Sequence, residues 1–117
     1  MTEREFAEYI KDTKIDSEYV APVKKRYGID VPVEIQKIIT CGRNATFAGE
    51  WRILSSCEIL NAGEIFGYDF IGNKIIPLID VKDNDFISYN LSLQKFEIVN
   101  VVDGVEFYVS EKLEDFV

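Results

Sequence analysis

The chain has 117 residues, 47% of them hydrophobic and 29% charged, with a net charge of −8 and no histidine. That length and balance predict one globular domain, 1–117, with its own core, and exclude a disordered chain. No apolar run approaches the roughly 20 residues of a membrane helix, and the lack of histidine removes His-based acid–base catalysis, Ser–His or Cys–His nucleophiles and histidine metal sites.

In chain order, Thr2 to Lys14 is expected to form a helix with Phe6, Tyr9 and Ile10 on its buried side. Ser17 to Tyr27 predicts a second, short helix carrying Tyr19, Val20, Val23 and Tyr27, with Pro22 near its start and Gly28 closing it. In "DVPVEIQKIITCG", Pro32 suits the first turn, Ile35, Ile38 and Ile39 make a buried stripe, and Gly42 ends the helix. Residues 43–50 are small and polar, hence a loop. Trp51 to Leu54 is a short strand, and "SSCEILNAGEIFG" is a Ser-capped helix interrupted near Gly63.

From Lys74 the texture is β-branched and aromatic: "KIIPLIDV", "DFISYNL", "KFEIVNVV" and "VEFYV" predict four strands. Asp103-Gly104 predicts a two-residue hairpin turn, pairing Val102 with Val105, Asn100 with Phe107 and Ile98 with Val109. In that register Ile98, Val102, Val105, Phe107 and Val109 form a core face, with Asn100 its one polar member. Glu97 and Glu106 join Val99, Val101 and Tyr108 on a partly acidic face. "SEKLEDFV" then gives a short closing helix, capped by Ser110, that docks Leu113, Phe116 and Val117. Helices followed by a mostly antiparallel sheet and a C-terminal helix define an α+β fold.

The charge is unevenly placed. Residues 1–49 hold eight basic and eight acidic side chains, whereas residues 50–117 hold five basic and thirteen acidic ones. Such a field repels nucleic acid and anionic membranes and attracts cationic partners, although it also serves solubility. The charged start MTEREFAEYI lacks a signal-peptide pattern, so a cytoplasmic location is expected, with Cys41 and Cys57 as buried free thiols.

"IPLIDVKDNDFISYN" concentrates carboxylates between two strands. Asp83, Asn84 and Asp85 suit turn chemistry, while Asp80 and Asp85 flank the strands, where binding residues often sit. A calcium loop from Asp80, Asp83, Asn84 and Asp85 would lack its central glycine and its terminal bidentate glutamate. Asp80-Val81-Lys82 also has the D-x-K form of metal-dependent nucleases, with Asp69 as a second Mg²⁺ carboxylate and Lys82 orienting the water. Against that, little nearby is basic enough to hold a polyanion.

The order of "GIDVPVEIQKIIT", "EWRILSSCEILNA", "IIPLIDVKDNDFISYN", an aromatic strand pair and a short terminal helix resembles the SUKH superfamily of Smi/Knr-like domains. Pro32, Trp51, Leu54, Glu58, Ile59, Asn61, Ile76, Pro77, Asp85, Phe86, Ile87 and Tyr89 fall on its pattern. Two loops depart from it: the usual glycine pair is reduced to Gly42 and Gly49, and "KDND" replaces a glycine-rich turn. The resemblance implies a non-catalytic bacterial immunity protein that holds a cognate toxin domain, such as a basic nuclease, inactive by tight binding. Asp80, Asp83, Asp85, Glu97, Glu106 and Trp51 are the candidate partner-binding residues, although Trp51 suits the core better. No enzyme activity, cofactor, metal, nucleic acid or membrane partner is expected. The alternatives are the Asp69–Asp80–Lys82 nuclease and a regulatory interaction module unrelated to toxins.

Overall fold

In the computed structural model, which describes residues 1–117, the chain starts with a capping box. Thr2 Oγ1 accepts from Glu5 N and Glu5 Oε1 accepts from Thr2 N, each at 3.1 Å. Helix α1 (Glu3–Tyr9) follows and tightens into a 3-10 turn over Ile10–Asp12, so it is shorter than its sequence pattern. Phe6 and Ile10 are buried as expected. Tyr9 is exposed instead, because Ala7 completes the narrow buried stripe.

Helix α2 (Ser17–Tyr27) is capped by Asp16, whose Oδ1 accepts from Tyr19 N, and ends at Gly28 in the left-handed region with φ 65°. Pro22 lies in its middle, not near its start. The helix tolerates it because Pro22 and Glu18 are both exposed, so water can reach the carbonyl that loses its donor. Helix α3 (Val33–Cys41) begins after Pro32 and buries Ile35, Ile38 and Ile39. Gly42 opens a 3-10 turn (Gly42–Asn44) after it, and glycine is required there for a steric reason. Its φ is an ordinary −67°, but a Cβ there would sit 2.0 Å from the Leu54 carbonyl oxygen.

The stretch expected to be only a loop contains a two-residue strand, β1 (Phe47–Ala48), paired with β2 (Trp51–Ile53). Ser55 and Glu58 form a second capping box at the start of α4 (Ser56–Leu60). The interruption comes at Asn61, and Gly63 lies inside α5 (Ala62–Phe66). Cys41 and Cys57 are free thiols, but only Cys41 is buried; Cys57 faces outward from α4.

Strands β3 (Ile75–Asp80), β4 (Asp85–Asn90), β5 (Lys95–Asn100) and β6 (Val105–Ser110) complete an antiparallel sheet in sequence order, β1 to β6. The protein is thus α+β. Pro77 sits in a strand with neighbours on both sides, where a missing donor is costly. The β3–β4 register shifts between Pro77 and Ile79, a bulge of the kind that accommodates proline. The C-terminus forms a 3-10 turn over Leu113–Phe116 and not an α-helix; Ser110 ends β6, Leu113 is buried and Val117 stays exposed.

The β5–β6 turn departs most from expectation. Asn100 pairs with Val105, Val99 with Glu106 and Ile98 with Phe107, so the loop spans residues 101–104. Asn100 decides this register. Its Oδ1 accepts from Val102 N at 3.1 Å and Asp103 N at 3.0 Å, while its own carbonyl accepts from Gly104 N at 2.8 Å. A side-chain cap on a longer loop replaces the tight Asp-Gly turn. The expected core face therefore fails: Val102, Val105, Phe107 and Val109 are exposed, whereas Val99 is buried.

Both faces of the central strands are covered. On one face Ile76, Ile79, Ile87, Tyr89 and Phe96 join a single buried cluster with Phe6, Ile35, Ile38 and Ile39 of the helical layer. On the other, the Phe86 ring lies 4.5 Å from that of Phe66 and 6.5 Å from that of Phe70, and Val99 packs in a second cluster with Phe70, Ile75 and Ala62. Tyr27 ties the layers together by donating its buried hydroxyl to the Ile75 carbonyl. Tyr27→Phe is expected to cost about 1–2 kcal/mol, because it strands that carbonyl; a lowered urea midpoint with an unchanged m-value would show it.

Candidate protein-docking surface

The acidic part of the chain divides into compensated and uncompensated carboxylates. Arg52, on β2, donates to both Glu58 oxygens at 2.8 and 3.0 Å and to Asp80 Oδ2 at 3.3 Å. Lys82 Nζ donates to Glu50 Oε1 at 2.9 Å. Asp80 also accepts from Lys82 N through Oδ1, at 3.0 Å, so this carboxylate ends β3 and orders the turn behind it. That turn is unusual: Lys82, Asp83 and Asn84 have φ of 84°, 55° and 67° in succession. Asp and Asn tolerate the left-handed region better than other side chains, and Lys82 is held there by its bonds to Asp80 and Glu50.

Asn100 joins this turn to the next. Its Nδ2 donates to Asp85 Oδ1 at 2.8 Å and to the Asp83 carbonyl at 3.4 Å, while Val101 N donates to the Asn84 carbonyl at 3.0 Å. One side chain thereby places Asp83, Asp85 and Asp103 at a common end of the sheet, with Glu106 one step along β6. Glu106 accepts from Tyr68 Oη at 2.8 Å. The chain's ion pairs take up Asp16, Glu50, Glu58, Asp80 and Glu114, so none of these four has a cationic partner.

Apolar surface lies beside them. Val102 is 71% exposed, and Val105, Phe107, Tyr108 and Val109 are exposed along β6. Cover over β6 comes from Tyr68, bonded to Glu106, and from Phe116 of the C-terminal turn, packed on Tyr108. The arrangement is an apolar strand rimmed by unpaired carboxylates, a combination associated with protein interaction sites.

The sequence candidates distribute unevenly over this surface. Asp83, Asp85 and Glu106 lie on it, and Asp80 borders it while paired to Arg52. Trp51 is only 5% exposed and packs edge-on against Phe6 at 6.4 Å, so it belongs to the core. Glu97 is 1% exposed and does not contribute to an acidic surface, contrary to expectation. It sits opposite Ser88 on the α5-bearing face and accepts one bond from Asn90 Nδ2 at 3.1 Å. Asn100, Asp103 and Val102 were absent from the candidates. An asparagine closing a strand before an Asp-Gly loop is the signal that could have marked them.

The nuclease triad does not assemble. Asp69 lines an open groove of about 610 Å³ with Arg26 and Glu64, and its neighbour Phe70 bonds the first residue of β3. Asp80 is the last residue of that strand, so Asp69 lies next to a residue bonded to its Ile75 end while Asp80 is at the other end, a span of roughly 16 Å along the backbone at about 3.3 Å per residue. No three Cys, Asp or Glu side chains converge on a metal-sized site. No protein-family model matches the chain, and neither a curated protein nor a solved structure matches it.

Burial pushes the Glu97 carboxyl above its ordinary value of 4.5, Asn90 opposes this, and the nearby Glu106 adds to it. The folded state therefore holds this proton more tightly than the unfolded state, and stability falls as pH rises from about 4.5 through the folded value. Glu97→Gln should raise the melting temperature at pH 7, with the gain vanishing below pH 4; thermal melts across pH 3–8 would test this. Asn100→Ala should cost about 1–3 kcal/mol and speed amide exchange at Val101–Gly104, as read by chemical denaturation and hydrogen exchange.

Proposed function

We propose that the chain is a non-catalytic binding protein of the immunity type, which holds a basic partner domain, such as a nuclease toxin, inactive in the cytoplasm. The observation that carries this reading is the Asn100-centred cluster of Asp83, Asp85, Asp103 and Glu106 beside the exposed apolar strand β6. Carboxylates without cations of their own steer and orient a basic protein, and the apolar strand supplies area that water leaves on association. The SUKH-like order of motifs supports the same class, and two unpaired thiols suit a reducing compartment.

Inhibition of this kind works by mass action. Keeping a toxic enzyme idle requires nanomolar binding, about −12 kcal/mol. Electrostatic attraction would act mainly on the encounter rate, which can rise by 10–10³-fold at low salt. The decisive experiment mixes the purified chain with any toxin-like domain encoded by a gene flanking its own. A nanomolar complex that abolishes that domain's toxicity on co-expression is expected. The double charge reversal Asp83→Lys/Glu106→Lys should slow association at least tenfold while leaving the melting transition cooperative. Failure of the neighbouring gene product either to bind or to be neutralised would sink the proposal.

A further inference from the structure

We propose that the free edge of β6 is a strand-docking site, taking an extended segment of a partner protein in which basic and apolar residues alternate. This rests on reading the chain as a binding protein and specifies how it would bind. The other sheet edge, β1, is two residues long, whereas β6 spans six residues, ends the sheet and has no strand beyond it. Its outer backbone groups therefore have no ladder partner, which is the template that an added strand uses.

The side chains of β6 define what such a strand must carry. Val105 and Phe107 share the face of Ile98, and Phe107 is 41% exposed. Glu106 shares the opposite face with Val99. Side chains of an added strand alternate in the same way, so apolar residues would lie beside Val105 and Phe107 and a basic residue beside Glu106. Asp103 lies in the loop just before the strand's start, whereas Asp85 sits two strands inward and, through Asn100, shares the face of Val105 and not that of Glu106.

The same charge disfavours a second copy of the chain. Two-fold pairing of β6 with itself would bring the Glu106 positions close together and join two bodies of charge −8. Tyr108 limits the site. Its φ of 53° lies in a region rarely occupied by bulky residues, and it marks a bulge where two residues of β6 oppose one of β5. Its hydroxyl donates to the Asp115 carbonyl at 2.7 Å and its ring packs on Phe116 at 5.1 Å. Regular pairing is thus offered along Val105–Phe107 and interrupted after it. A strand this short forms one part of a larger interface.

The test uses the full chain, ¹⁵N-labelled, and three fluorescein-labelled synthetic heptapeptides: alternating Lys and Val, alternating Glu and Val, and the Lys–Val peptide N-methylated at every valine. The Lys–Val peptide is expected to bind, with amide shifts and slowed exchange confined to residues 102–110. N-methylation, Glu for Lys in the peptide, and Glu106→Lys in the protein should each weaken it at least tenfold. Val105→Lys, at an exposed position, provides a second variant that retains the fold, with the same expected loss. Equal binding of the N-methylated peptide, shifts centred away from β6, or sedimentation as a dimer dispersed by Phe107→Lys would overturn the proposal. A neutralising complex with the adjacent gene product that leaves the β6 amides unprotected would overturn this site but not the immunity reading. Seating of the Lys–Val peptide on β6 without any such complex would do the reverse.

Discussion

The structure depends on covering both faces of β3, whose residues Ile75 to Ile79 are all buried. A strand that is apolar on both sides cannot form one wall of a half-solvated sheet; it needs a layer on each face. The helices α1–α3 provide one layer, and the aromatic pair Phe66 and Phe70 provides the other. The Tyr27 hydroxyl and the close approach of Gly42 to Leu54 fix the helical layer over the β2–β3 side of the sheet. Coverage centred there leaves β6 exposed from Val105 to Val109. The exposed apolar strand is the geometric remainder of the same packing solution.

Electrostatics follow that asymmetry. Arg52 and Lys82 lie on the β2–β3 side and neutralise Glu58, Asp80 and Glu50. Beyond β4 the remaining lysines form no ion pair with Asp83, Asp85, Asp103 or Glu106. Four carboxylates outside these ion pairs, Asp83, Asp85, Asp103 and Glu106, therefore set up a negative field beside the exposed residues of β6. A field with that polarity favours oriented encounter with a cationic body.

The helices were legible because their signals are local. The serine cap of α4 falls at Ser55 as its sequence suggests, Gly28 ends α2, and Ile35, Ile38 and Ile39 face the core, whereas the Asp16 cap of α2 emerged only from the structure. The β3–β4 pair was legible from its β-branched runs and the polar turn between them. The β5–β6 hairpin was misread because two turn chemistries compete within five residues. Asp-Gly favours a two-residue turn, but Asn100 satisfies two backbone amides and two groups of the neighbouring turn at once, and so stabilises the longer loop. Glu97 was expected on the surface for a different reason: strand alternation identifies a face, not what lies over it.

By itself the sequence determined the α+β class, the Ser55 cap, the Gly28 stop and most strand positions, and the accumulation of carboxylates after residue 50, since each depends on spacing or composition within a short window. Only the tertiary structure decided which carboxylates stay unpaired, that Trp51 and Glu97 are interior, that Asp69 and Asp80 lie at opposite ends of one strand, and that β6 has a free edge. Those properties are set by distances between residues remote in the chain, and no local pattern carries them.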